Sequence, residues 1–127
     1  MLICRGDHPL AARRRLRWRQ LEPHPLVFAG AGSGNRPLLD AALAAAAPRL
    51  RSGYEVQRSS TAVGLVVAGV AAAIVPSLAV QPGTPPELRL VQLFDPVVSR
   101  QLVLVRRKGG ELSPAAWALF DLVARRT

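Results

Sequence analysis

Apolar residues run along this chain in short blocks, separated by glycine, proline and charged positions. Leu2–Arg5 is a short apolar start, and Asp7-His8-Pro9-Leu10-Ala11 reads as a loop. Trp18 to Leu21 suits a short helical turn ahead of His24-Pro25. Leu26–Ala29 predicts a compact strand that runs into the flexible loop Gly30-Ala31-Gly32-Ser33-Gly34. A helix then opens at Asn35 or Arg36. Pro37 fits its first turn, Asp40 complements the positive end of its dipole, and Leu39, Ala42, Leu43 and Ala46 line one face until Pro48. Tyr54 and Val56 alternate with Glu55 and Gln57, the period of a strand.

The stretch Ser59–Pro76, SSTAVGLVVAGVAAAIVP, admits two readings. It is uncharged, and with residues 77–80 it approaches the ~20 apolar residues of a membrane-spanning helix. Gly64, Gly69, Pro76 and the leading hydroxyl residues favour the other reading. In it, a helix from Thr61 to Ala68 is N-capped by hydroxyls, turns at Gly69 and leads to a buried strand from Ala72 to Val75.

Gln81–Pro86, QPGTPP, is the clearest linker. Leu88, Leu90 and, after one slip, Leu93 mark a strand, Asp95-Pro96 a turn, and Gln101–Arg106 a further strand. Ser113-Pro114 then starts a terminal helix with Trp117, Phe120, Val123 and Ala124 on one face. Strands alternating with helices on short connections predict an α/β sheet with parallel pairs.

Composition narrows the class. With 127 residues, half of them hydrophobic, the chain suits one domain or part of one. No secretory signal pattern opens it, and Cys4 is its single cysteine, which fits a cytoplasmic location. The formal charge is +9, almost all from arginine, a bias that a G- and C-rich coding sequence also produces. Arg13, Arg14, Arg15, Arg17 and Arg19 form the densest cluster. Without a helix-turn-helix or RNA-binding motif beside it, the expectation is a solvated surface loop rather than a phosphate-binding patch.

Candidate chemistry is sparse. The strand–glycine loop–helix at 26–46 invites a dinucleotide reading, but Asn35 stands where the last glycine of GxGxxG belongs. A smaller version survives, in which loop backbone N–H groups and Arg36 bind a small carboxylate or phosphate, beside the reading of a plain loop closed by a helix cap. Ser59, Ser60 and Thr61 are the second candidate group, offering hydroxyls to a ligand or capping their own helix. His8 and His24 lack further ligands at metal spacing, Ser33 lacks a nucleophile-elbow frame, and the acids are scattered. The expectation is no catalysis, no metal and no cofactor.

Taken in order, these segments resemble the effector-binding domain of LysR-type transcriptional regulators. ICRGDHPLA resembles that family's strand and HPLA turn, and LVFAGAGSGNRPLLDAALAAA its strand, Gly/Ser loop and "LD-x-AL" helix. SSTAVGLVVAGVAAAIVP resembles its "VxxGxGIxxxP" signature, with Ala71 where the second glycine stands. RQLVLVRRKGGELSPAAWALFDLV resembles its closing strand and helix.

The resemblance implies an α/β module of the type II periplasmic-binding-protein kind, closing on a small molecule between two lobes. It implies a complete lobe II over 7–80, with 1–6 and 86–127 as the remainder of lobe I. Effector contacts carry over to Ser59, Ser60 and Thr61, and more weakly to Asn35 and Arg36. It further implies a small-molecule effector, anionic if Arg36 takes part. DNA would be reached only through a winged helix-turn-helix that these residues do not include; no membrane partner is expected. The unmatched half of lobe I implies an apolar surface at 86–127 and a homo-oligomer. The alternative is a stand-alone solute-binding module unconnected to transcription.

Overall fold

In the computed structural model, which describes residues 1–80 and 83–125, the alternating pattern produces one mixed sheet with helices on both faces. The strands are β1 (Leu2–Arg5), β2 (Arg15–Arg17), β3 (Pro25–Ala29), β4 (Arg51–Val56), β5 (Ala72–Ile74) and β6 (Leu88–Phe94), in the order β2-β6-β1-β5-β3-β4. The helices are α1 (Asn35–Leu43), α2 (Ser59–Val67) and α3 (Pro114–Ala124), with 3₁₀ turns at Trp18–Leu21 and Ser77–Ala79.

β3 pairs in parallel with β4 on one side and β5 on the other. The chain leaves β3 through α1 to reach β4, then returns through α2 to β5. The two helices lie on opposite faces, and strand pleating delivers a core to each. Leu26, Phe28, Leu2, Cys4 and Ala72 meet Leu39 and Leu43 of α1. Val27, Ile3 and Ala73, the intervening residues, meet Ala62 and Val66 of α2. A strand buried on both faces reads as a continuous apolar run, which is why Leu26–Ala29 shows no alternation. Fully burying one such aliphatic side chain contributes about 1.5–3 kcal/mol.

β1 is antiparallel to both β5 and β6, and carries the sheet across to them. The slip expected after Leu90 is not a break in register: Leu2 faces Val91 and Ile3 faces Leu90 without interruption. The pattern changes because Leu88 joins the α2-side core, whereas Val91 and Leu93 join the α1-side core.

The uncharged stretch folds by the globular reading. α2 spans nine residues, Gly69 turns the chain at φ +74°, and β5 follows. A left-handed φ disfavours any side chain there. Ala71 does not share it, so alanine is accommodated where the family signature has its second glycine. Among the described residues, no helix is long and apolar enough to cross a membrane.

Four local expectations change. Residues 101–106 form no strand and are exposed, and neither edge strand, β2 nor β4, pairs with them. The arginine cluster is not wholly a loop, because Arg15–Arg17 pairs in parallel with β6 as an edge strand around buried Leu16. α2 starts two residues early, at Ser59, and its N-cap is Arg58 with no side-chain capping bond. Asp40 lies beyond the first turn of α1 and pairs with Arg36 instead of the helix dipole. The cap at Ser113 forms as expected, its hydroxyl oxygen accepting from the Ala116 amide at 3.3 Å. No residue of α3 is buried, and its apolar face stays open. Gln81 and Pro82 of the expected linker lie outside the described residues.

Candidate functional site

Parallel strands end at the same edge of a sheet, so β3, β4 and β5 deliver their carboxyl ends together. Such an edge, where connections diverge to opposite faces, is where open α/β sheets form ligand crevices. Ala29, Val56 and Val75 floor a cleft of about 340 Å³ there. That volume suits a small molecule. Trp18, Leu93 and Val98 make an apolar wall. Trp18 is held by its indole N–H, which donates to the Pro96 carbonyl at 2.8 Å.

The polar side is built from two helix starts. Asn35, first residue of α1, and Ser59, first residue of α2, both line the cleft. Helix N-termini carry partial positive charge and free amides. Ser33 Oγ accepts from the Asn35 amide at 3.3 Å, while no side chain caps α2. Arg58 and Arg100 also line the cleft, and among the described residues no aspartate or glutamate does. Arg100 Nη1 donates to Asn35 Oδ1 at 2.9 Å, bringing the segment after β6 onto the start of α1. The arrangement is therefore apolar on one side and cationic, with neutral donors, on the other.

Gln57 explains two glycines. A Cβ on Gly30 would lie 2.6 Å from Gln57 Nε2, and one on Gly32 would lie 2.8 Å from Gln57 Oε1. The close backbone approach that suggested a pyrophosphate is taken by a side chain of this protein. Glu55 is likewise engaged, accepting from Arg36 Nη1 at 2.9 Å.

Of the five residues named from sequence, Asn35 and Ser59 line the cleft. Ser60 and Thr61 are exposed on α2 and do not. Arg36 lies outside it, bound to Glu55 and, at 3.0 Å, to Asp40. Those two carboxylates, Glu55 first, raise its pKa further, so its charge is fixed and already paired. Sequence reasoning passed over Gln57 and Arg58, although their place between a strand and a helix marks a turn at the carboxyl edge. Nothing local marks Arg100, which the tertiary fold brings in. His8 and His24 lie with ring centroids 5.1 Å apart, and His8 Nδ1 accepts from the Leu10 amide at 3.2 Å.

The family described as LysR substrate binding domain matches residues 1–127. The uncharacterized HTH-type transcriptional regulator YbhD of Escherichia coli K12 is 37% identical over 123 residues, covering 97% of this chain. The chain spans 39% of that relative's length. HinK, a LysR family transcriptional regulator from Pseudomonas aeruginosa, superposes at a TM-score of 0.78 and 15% identity, covering 98% of this chain and 43% of HinK. The effector binding domain of QuiR, solved in complex with shikimate, gives 0.68 at 20% identity, covering 98% of this chain and 59% of that domain. At these identities the structures speak for the fold, which is that of LysR effector-binding domains and is periplasmic-binding-protein-like. With the family match running the whole length of the chain, the protein belongs to the LysR substrate-binding domain family and is a ligand-sensing regulator domain.

Proposed function

We propose that this domain senses a small organic anion in the cleft at the carboxyl ends of β3, β4 and β5. One observation carries the reading: Arg58, Arg100 and two helix starts converge on a cleft without a carboxylate. A carboxylate ligand would gain charge-assisted hydrogen bonds there, and its apolar body would rest on Trp18 and Leu93. The shikimate bound by QuiR is itself a carboxylate. Ser59 and Asn35 are the contacts retained from the sequence reading, while Ser60, Thr61 and Arg36 lie outside the cleft.

The division into lobes is part of the proposal. β1 and β6 are hydrogen-bonded neighbours in the same sheet as β3, β4 and β5. That continuity supports counting both strands with lobe II and drawing its boundary beyond Phe94. The segment 98–102 that lines the cleft would then be the crossing to lobe I, where closure on a ligand shifts the lobe equilibrium. In the whole regulator, that shift would pass to a winged helix-turn-helix on DNA in the cytoplasm. The domain has no catalytic role in this reading; Asp40 and Glu55 are engaged by Arg36.

Thermal-shift and calorimetric titration with small carboxylates, shikimate as the first probe, tests the proposal. A saturable stabilisation by one carboxylate, lost in Ser59→Ala and in Arg58→Ala, is expected. Saturable binding confined to neutral or cationic metabolites would overturn it.

A further inference from the structure

The five arginines of 13–19 have no part in the cleft. They gather on and beside β2, the edge strand at the end of the sheet opposite β4. Pairing with β6 sends Leu16 inward to 1% exposure and sets Arg15 and Arg17 on the other side of the pleat. There both guanidiniums lie over one ring: the Arg15 carbon is 4.6 Å and the Arg17 carbon 5.7 Å from the centre of Phe94. A cation–π contact of this kind does not use up a guanidinium's N–H donors. Arg13, Arg14 and Arg19 flank the strand and are exposed. Among the described residues, Asp95, 3.5 Å from Arg17, is the one acid within ion-pair distance of the five. Arg19 otherwise donates to the Ala46 carbonyl at 3.4 Å.

A solvated loop would not hold planar cations in this way. The cluster is an ordered, nearly uncompensated cationic edge on a chain of formal charge +9. We propose that the β2 edge contacts the phosphate backbone of duplex DNA without reading its sequence. Forked guanidinium donors suit phosphate oxygens, and such contacts give weak, salt-sensitive binding. The choice of DNA over other polyanions rests on membership in a family of DNA-binding regulators. The patch itself does not depend on the effector reading.

The test is fluorescence anisotropy of this chain on a labelled duplex of arbitrary sequence, titrated over roughly 50 to 200 mM salt. Each phosphate contact contributes ~0.9 to the slope of log K against log salt. Combined Arg13→Ala, Arg14→Ala and Arg15→Ala should therefore flatten the slope by about 2.7. The same three positions changed to lysine should keep it, which shows that folding is not the cause. A charge-matched change of Arg106, Arg107 and Lys108 to alanine should flatten it by less than about one unit. An unchanged slope in the first variant overturns the proposal. So does an equal loss in the charge-matched control, or binding to heparin without binding to the duplex. Aggregation of the alanine variant with its slope intact would show instead that these charges only guard an exposed strand edge.

Discussion

Arg100 Nη1 donates to Asn35 Oδ1 at 2.9 Å, joining residues 65 positions apart at the mouth of the cleft. The bond ties the chain beyond β6 to the first turn of α1 and holds a cation at that helix start. Replacing Arg100 with alanine should weaken binding of a carboxylate ligand about ten- to hundredfold, the worth of one charge-assisted hydrogen bond. Both partners are on the surface, so the melting temperature should hardly move. Calorimetry beside a thermal melt separates the effects, and a large melting shift with unchanged affinity would remove Arg100 from the site.

Arg36 supplies the contrast. It is adjacent to Asn35 in sequence but is committed to Glu55 and Asp40. Arg36→Ala should leave ligand affinity within about twofold and cost no more than about 1 kcal/mol of stability, as for surface ion pairs. A tenfold loss of affinity in this variant would mean that Arg36 leaves its carboxylates to meet the ligand.

Trp18 is 2% exposed and anchors the wall of the cleft through Pro96. Trp18→Ala should cost about 3–5 kcal/mol in urea denaturation. Trp18→Phe keeps most of the ring but strands the Pro96 carbonyl, and should cost about 1–3 kcal/mol. Equal costs for the two changes would show that the hydrogen bond, rather than packing, dominates.

His8 gives the fold an acid-sensitive corner. Burial first, and then the neighbouring His24, lowers its pKa below the usual imidazole value, with Asp7 opposing. Between the unfolded and folded pKa values the unfolded chain binds more protons, so stability rises with pH. The contribution is complete above about pH 6.5 and is lost as pH falls through the lower folded value. Protonation at Nδ1 would also cancel the acceptor for the Leu10 amide. Denaturation midpoints measured from pH 7.5 to 5 should fall, and His8→Gln should flatten that fall. A midpoint that rises on acidification would contradict this.

The apolar side chains of residues 102–105 and of α3 face solvent, with Val105 at 86% and Leu119 at 62% exposure. Contiguous exposed apolar surface of this kind favours association. Sedimentation of the chain should show concentration-dependent self-association, weakened at least tenfold by Val103→Glu with Val105→Glu. A monodisperse monomer at high concentration would rule it out.

Local chemistry made the elements around the cleft legible from sequence. Pro37, Ser113-Pro114 and the run at Leu26–Ala29 act over a few residues, so α1, α3 and β3 start within a residue of where their patterns put them, while α1 ends at Leu43, short of Pro48. Gly69 likewise marked a turn that a left-handed φ requires. Ser59 and Asn35 were legible as candidates, and they line the cleft because both open helices that follow parallel strands. Ser60, Thr61 and Arg36 look equivalent to them in sequence, and only the direction each takes from its helix separates them.

What needs partners from far along the chain was decided by tertiary structure alone. Residues 101–106 have strand composition, yet composition makes a strand only when the segment docks on a ladder, and here it pairs with neither β2 nor β4. Arg15–Arg17 reads as a polar loop, but β6, more than 70 positions away, makes it a strand. Arg100 and Trp18 enter the cleft through hydrogen bonds across 65 and 78 positions. Sequence periodicity therefore determined which residues are buried by their own element. The place of Arg100 at the cleft followed from long-range packing, because a side chain's direction depends on neighbours that no local pattern records.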